Sequence, residues 1–443
     1  DIFPYAVVVP ILPFALQSKA GVPLDKTQLW VSISLASFGA AILVSAPVWG
    51  ILADRTKDRR TPMLLGLILL LGATFLLCFM HNVTMLVLGR VFQGMTSSLT
   101  WSVGLALVVD TVPADSIGKY MGWIGIAVSL ATLTSPLLGG VVYGKGGYYQ
   151  VWAMCFAIVA GDIVLRLLVI EKKHAVKWLG EESSTALTPT DDPKTQGTTQ
   201  NPKDTSGQPT TDIEAATTVA DHLNWKRIAS LFRNGRFLAA LWGTVIEATI
   251  LTAFDSTLPI FVKDTFGWDS IGAGLAFLPL ILPTFLGPLV GHLCDRIGPR
   301  WPSTFGFFFT IPFLVSMRFV TENTIADKVL LCGLLVGVGI SNTCCFGPLT
   351  AEITWTVEEG CKDQNTKPIA FAYAMYNVAF SAGALIGPLL GGFVNEHKGW
   401  AAVGWTLAIV AGAAGVTTAI WVGGPPLWQI RKTQTPDENH EME

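Results

Sequence analysis

The chain has 443 residues, of which 51% are hydrophobic and only 14% charged, and its formal net charge is −3. Soluble domains carry about 25% charged residues, so this composition excludes an ordinary soluble protein and points into a bilayer. So small a net charge identifies no partner, and nucleic acid is not expected among the partners.

Twelve charge-poor stretches are long enough to cross a bilayer, at 1–16, 28–50, 62–80, 85–112, 118–142, 149–170, 237–262, 271–293, 302–320, 328–356, 369–394 and 400–422. They are too long for the strands of a barrel and lack its period-two alternation. The expected fold is all-α, with twelve transmembrane helices. The chain opens on Asp1 in a short first span, with no initiator methionine and no cleavable signal peptide. A preceding N-terminal segment is expected. Lys and Arg collect in the even-numbered connections and the C-terminal tail, as at Arg55, Arg59, Arg60, Lys119, Arg296, Arg300 and Arg431. By the positive-inside rule those connections and both termini are cytoplasmic.

Along the chain, the first motif is GILADRTKDRR at 50–60, with Gly50, Asp54 and Arg55 in a tight turn after span two. Acid and base together there suit a gate, in which charges pair with helix ends in one state and release them in another. GHLCDRIGPR at 291–300 repeats it after span eight, with Gly291, Asp295 and Arg296 matching Gly50, Asp54 and Arg55. In span four, Arg90, Gln93 and Gly94 stand together. A charged residue there faces a cavity or a partner, or else snorkels to the nearer interface. Asp110 ends the same span and is a candidate partner for the loop arginines.

Span five, GWIGIAVSLATLTSPLLGG at 122–140, is punctuated by small residues. Ala131, Ser135 and Gly139 recur every four residues and line one side of a helix, where another helix can approach closely. Pro136 removes a backbone donor and is expected to bend it. An echo occurs at 374–392, AMYNVAFSAGALIGPLLGG. Gly122, Ser135, Pro136, Gly139 and Gly140 correspond to Ala374, Gly387, Pro388, Gly391 and Gly392. The chain therefore reads as two related halves. In span six, Asp162 and Arg166 are four apart and form a structural pair.

Residues 174 to about 224 are rich in Thr, Asp, Pro, Gly and Gln and cannot bury a core, so they read as a disordered cytoplasmic linker. The organisation is then a six-helix half at 1–173, a linker at 174–236, a second half at 237–422 and a tail at 423–443. The seven cysteines have no paired spacing and are expected to be free thiols, with neither metal nor cofactor.

The loop motifs, the Arg90-Gln93-Gly94 motif and the span-five motif resemble those of the major facilitator superfamily, and specifically its drug:proton antiporter group. Asp1 with VVVPILP, FDSTLPIFV at 254–262, and the echo segment resemble the vesicular amine transporter branch of that group. Two departures matter. That branch has Lys in span two where this chain has Phe38, and Asp in span eleven where it has Asn377. The first loop motif also carries Lys57 where the family usually has Gly.

Acids at membrane depth carry the mechanistic signal. Glu247 is about ten residues, roughly 15 Å, from the inner end of span seven, and Asp255 lies about 80° around the same helix. Span seven has no Lys or Arg within helical reach of Glu247, so that acid faces water, bonds across helices or holds a proton. Asp1, Glu352 in span ten and Asn377 complete the proton and solute candidates, with Arg90. Phe38, Trp101 and Phe254 offer apolar or cation–π contacts. The reading is a monomeric secondary transporter, in a plasma, vacuolar or vesicular membrane, that expels small organic cationic or amphipathic solutes in exchange for protons. The alternatives are a proton-independent facilitator of a neutral metabolite and a non-transporting receptor or scaffold. No phosphate loop, nucleophile elbow or metal-ligand cluster suggests an enzyme.

Overall fold

The computed structural model describes residues 2–55, 60–111, 117–168, 231–360 and 369–424, and all its regular structure is helical. The first half comprises α1 (Ile2–Lys19), α2 (Leu24–Arg55), α3 (Arg60–Cys78), α4 (Val83–Thr111), α5 (Ile117–Gly146) and α6 (Tyr148–Leu168). The second opens with α7 (Gly235–Phe266). It continues through α8 (Ser270–Leu275), α9 (Leu278–Ile281), a 3-10 turn (Leu282–Leu286), α10 (Gly287–Ile297), α11 (Arg300–Ser316), α12 (Ile325–Gly360), α13 (Ile369–Lys398) and α14 (Trp400–Trp421). The linker expected at 174 to about 224 and the tail from 425 lie outside the described residues.

Among the described residues ten helical segments are long and apolar enough to cross a membrane. The two remaining expected spans are α4 and α11. The first is 29 residues long but carries Arg90, Gln93 and three consecutive hydroxyls, Thr96 to Ser98. The second has 17 residues and is prolonged by a 3-10 turn, Met317–Phe319.

Local chemistry sets several boundaries. The Asn234 side chain accepts from the Arg236 amide and starts α7. Gly267, at φ 66°, ends it in the left-handed conformation. Asn82 does the same work at α4, accepting from the Met85 amide at 2.8 Å. The sequence reads span eight as one apolar run, and the structure breaks it into short pieces. Pro279, Pro283 and Pro288 each stand in the first turn of a new piece, because a proline lacks the N–H that would continue the preceding helix. By contrast α5 runs on through Pro136. Its Ser135 hydroxyl donates to the Ala131 carbonyl. The six described cysteines are free.

Packing repeats between the halves. The first helix of each half lies against the fifth, α1 on α5 and α7 on α13. Between the halves, α2 lies along α13 and α8 along α5. The paired small residues make both contacts possible. A Cβ on Gly139 would fall 2.6 Å from the Val7 carbonyl oxygen of α1. One on the corresponding Gly391 would fall 3.0 Å from Ala253 of α7. The next residues turn to the opposite half: Gly140 is pressed on the Ser270 backbone, and Gly392 on the Ser32 side chain. The echo of PLLGG is thus an echo of contacts, each glycine giving up its side chain so that helices can approach closely.

Candidate functional site

A network of five side chains, Arg90, Gln93, Phe38, Tyr5 and Asp255, connects the halves. Arg90 of α4 is completely buried, and its Nη1 donates to Gln93 Oε1 at 2.8 Å, one turn along the same helix. The guanidinium lies 5.3 Å from the ring centre of Tyr5 and 5.9 Å from that of Phe38. Those rings stack at 4.4 Å. The Tyr5 hydroxyl then crosses to the second half and donates to Asp255 Oδ2 at 3.0 Å. Arg90 and Asp255 also interact electrostatically. Arg90 does not snorkel: it is held over two aromatic faces, and its Nε and Nη2 have no protein partner. Phe38, where the resemblance puts Lys, is one of those faces, so here the positive charge comes from α4.

Glu247, two turns back along α7, is 2% exposed, and neither carboxylate oxygen has a hydrogen-bond partner in the protein. Its electrostatic neighbours are Tyr376 of α13 and Cys345 of α12. Gly383 and Gly387 let α13 close on this part of α7. A Cβ on Gly383 would meet Ala248 Cβ at 2.5 Å, and one on Gly387 the Thr249 carbonyl oxygen at 2.6 Å.

Glu352 lies apart from both acids, fully buried near the end of α12. It accepts from Arg236 Nε at 2.8 Å and Nη2 at 3.3 Å, and from the Gly423 amide at 2.9 Å. Arg236 Nη1 also meets Glu359 at 2.9 Å. Arg300 donates to the Val422 carbonyl at 2.5 Å and interacts electrostatically with Glu352. This knot joins the start of α7, the start of α11, the end of α12 and the end of α14.

Asn377 is half-buried on α13, where its carbonyl accepts from Ser381 Oγ at 2.7 Å. Asp295 and Arg296 are exposed at the end of α10, and Gly291 is half-buried before them. Asp162 and Arg166 form the pair expected from their spacing, at 3.5 Å. Phe254 is buried edge-on to Trp400, and Trp101 is half-buried. Asp1 lies outside the described residues, and of Gly50, Asp54, Arg55, Asp110 and Gly122 only the place in a helix is described.

The remaining hydrogen bonds between the halves, among the described residues, all lie towards the α1–α2, α7–α8 and α13–α14 connections. Gln28 donates to the Ser256 carbonyl at 3.1 Å and accepts from Asn395 Nδ2 at 2.9 Å. Lys263 donates to Gln17 Oε1 at 2.7 Å, and Ser270 Oγ to the Gly140 carbonyl at 3.1 Å. Sequence reasoning passed over Tyr5, Tyr376, Gln28 and Asn395. The available signal was a polar tip inside an apolar span, which needs a partner once buried.

A bundle of membrane-length helices in two repeating halves, with polar groups buried where the halves meet, is the architecture of a secondary transporter. The chain belongs to the Major Facilitator Superfamily, whose family model matches residues 2–355 and 367–441. It is 32% identical to an uncharacterised MFS-type transporter of Schizosaccharomyces pombe, over 90% of this chain and 87% of the relative. It is 24% identical to the tetracycline resistance protein, class B, of Escherichia coli, over 90% of this chain and 86% of the relative. A probable vesicular acetylcholine transporter-B of Danio rerio is 22% identical over 92% of this chain and 73% of its own length. Among solved structures, a D-xylose-proton symporter superposes with a TM-score of 0.66 at 13% identity, covering 95% of each chain. At that identity the likeness speaks for the fold alone.

Proposed function

We propose that this transporter exchanges protons for small organic cationic or amphipathic solutes by alternating access, with Asp255 as the proton carrier. The observation that carries the reading is the Tyr5–Asp255 hydrogen bond between the halves, with Arg90 beside it. An ionised Asp255 accepts from Tyr5 and attracts Arg90. A protonated Asp255 loses that attraction, and with it part of what holds the halves together at this depth. Proton binding and the rocking of the halves are then one event, the linkage an exchanger needs. The tetracycline resistance relative supports an organic solute.

The hydrogen-bonded end of the bundle carries odd-numbered connections, which the positive-inside rule places outside the cell or inside an organelle. In this reading the structure is the state closed on that side, and both termini are cytoplasmic. The test is transport by protein reconstituted in vesicles, across a solute panel, with and without an imposed pH gradient. Wild-type protein should accumulate solute against its gradient only when the pH gradient is present. Asp255→Asn should lose that accumulation and keep solute-for-solute exchange. Undiminished accumulation by Asp255→Asn would remove Asp255 from the proton path.

A further inference from the structure

We propose that span eight is jointed: its outer piece, α8, stays docked on α5 of the first half throughout the transport cycle, and the stretch 275–279 bends as the halves rock. The inference rests on the alternating access of the reading above and adds a segment that travels with the opposite half.

Packing divides span eight between the halves. The main partners of α8 are α5 and α1 of the first half. The inner pieces lie mainly on their own half, α9 and the 3-10 turn on α12, and α10 on α12 and α11. The grip of α8 on α5 is backbone against backbone. A Cβ on Gly140 would run into the Ser270 carbonyl, and one on Gly274 into the Pro136 carbonyl. The Ser270 hydroxyl donates to the Gly140 carbonyl at 3.1 Å. One turn further out, a Cβ on Gly144 would meet Ile271 Cγ1 at 2.8 Å. Contacts this close resist sliding, because a packed interface has discrete arrangements and does not deform continuously. The inner anchor is at Leu280. A Cβ on Gly339 of α12 would run into the Leu280 carbonyl and come within 2.9 Å of Pro283.

Between the docked Gly274 and the docked Leu280 the helical ladder is interrupted. Pro279 brings no N–H, and the Phe277 amide bonds the Gly274 carbonyl, three residues back where an α-helix reaches four. A tightened turn beside a proline is where a long helix bends most easily. At its other end α8 follows Gly267, whose left-handed backbone ends α7. The outer piece thus has a joint on each side. Span two, whose loop motif matches that of span eight, is not divided in this way. There α2 runs unbroken from Leu24 to Arg55, and lies along α4 of its own half as well as along α13 of the other. One seam between the halves is continuous and the other jointed.

The test closes a disulfide between α5 and α8 in the full chain, with Gly144→Cys and Ile271→Cys together. The 2.8 Å approach to Ile271 Cγ1 puts the two Cβ atoms within about 4.3 Å, inside disulfide reach. The readout is exchange of labelled tetracycline and 1-methyl-4-phenylpyridinium by reconstituted vesicles, which needs alternating access and no proton coupling. Each single-cysteine variant, oxidised alike, controls for the chain's own thiols. The oxidised double variant should exchange within about twofold of its reduced form, because α8 does not leave α5. If span eight moves whole with its own half, the bond holds the outer side shut. Arrest on oxidation, relieved by reductant, would therefore overturn the joint. Pro279→Ala is a second measurement should the cysteine pair fold poorly. It restores the missing N–H, lets α8 run on into α9, and should slow exchange by about tenfold or more. Undiminished exchange by Pro279→Ala would also overturn the joint. Failure of the transport reading looks different: wild-type vesicles then exchange neither probe, before any bond is closed.

Discussion

Asp255 and Glu247 stand eight residues apart on α7, yet the stretch around the first is hydrogen-bonded to the opposite half, while the stretch around the second is closely packed by helices of its own. Around Asp255, Tyr5 bonds the carboxylate and Gln28 bonds the next carbonyl, that of Ser256. Around Glu247, the contacts come from α12 and α13, through Leu349 on Gly243 and through Gly383 and Gly387. One helix is therefore a moving part at one end and a fixed part of its half at the other. An acid at the first place is suited to couple an ion to motion. An acid at the second is carried along with its own half whichever way the halves rock.

The largest effect that would sharpen this contrast is at Arg90. Arg90→Ala leaves Asp255 with Tyr5 but without its buried counter-charge, a change of about 3 kcal/mol or more, hence about a hundredfold in coupled transport. The measurement is accumulation of solute in vesicles driven by a pH gradient. Undiminished accumulation by Arg90→Ala would mean that Asp255 works without its counter-charge, and the contrast fails.

A smaller effect is expected at Gln28, which is buried and fills three roles, to Ser32, Ser256 and Asn395. Gln28→Leu leaves the Ser256 carbonyl and the Asn395 amide without these partners, at about 1–3 kcal/mol. The equilibrium should shift from the sealed state by about five- to a hundredfold or more, read as faster labelling of a cysteine placed at the buried Ser256, whose carbonyl still accepts from Gln28 in the reference protein with that cysteine alone. Unchanged labelling would mean that close helix contacts alone, such as Gly392 on Ser32, hold this end.

The sequence made the framework legible because its signals are local. Apolar length marks the spans, and the small residues of the span-five motif mark close helix contacts whose partners the structure supplies. Span eight shows the limit: its hydropathy is continuous, but three prolines divide the helix, and hydropathy does not register a missing N–H. The site was legible by residue type more than by role. Glu247, Asp255 and Arg90 declare themselves as ionisable groups in apolar helices. Their different surroundings do not, because Tyr5, the partner of Asp255, is 250 residues away, and nothing in the sequence marks Glu247 as an acid without a partner. Glu352 illustrates the same gap, since the Arg236 that neutralises it is 116 residues away.

The smallest predicted effect bears most directly on the contrast. Tyr5→Phe keeps the ring, and so keeps the stack on Phe38 and the face under Arg90, while removing only the hydroxyl that crosses to Asp255. The bond lost is one between a neutral donor and a carboxylate, so about 1–2 kcal/mol is at stake and the structure should otherwise stand. The hydroxyl ties Asp255 to the first half in the sealed state. Without it that tie is lost, and transport driven by a pH gradient should fall by about fivefold to thirtyfold. Undiminished accumulation by Tyr5→Phe would show that the Tyr5 bond is a packing contact without a part in coupling. The carrier would then have to be sought among the other acids, with Asp255 reduced to a partner of Arg90.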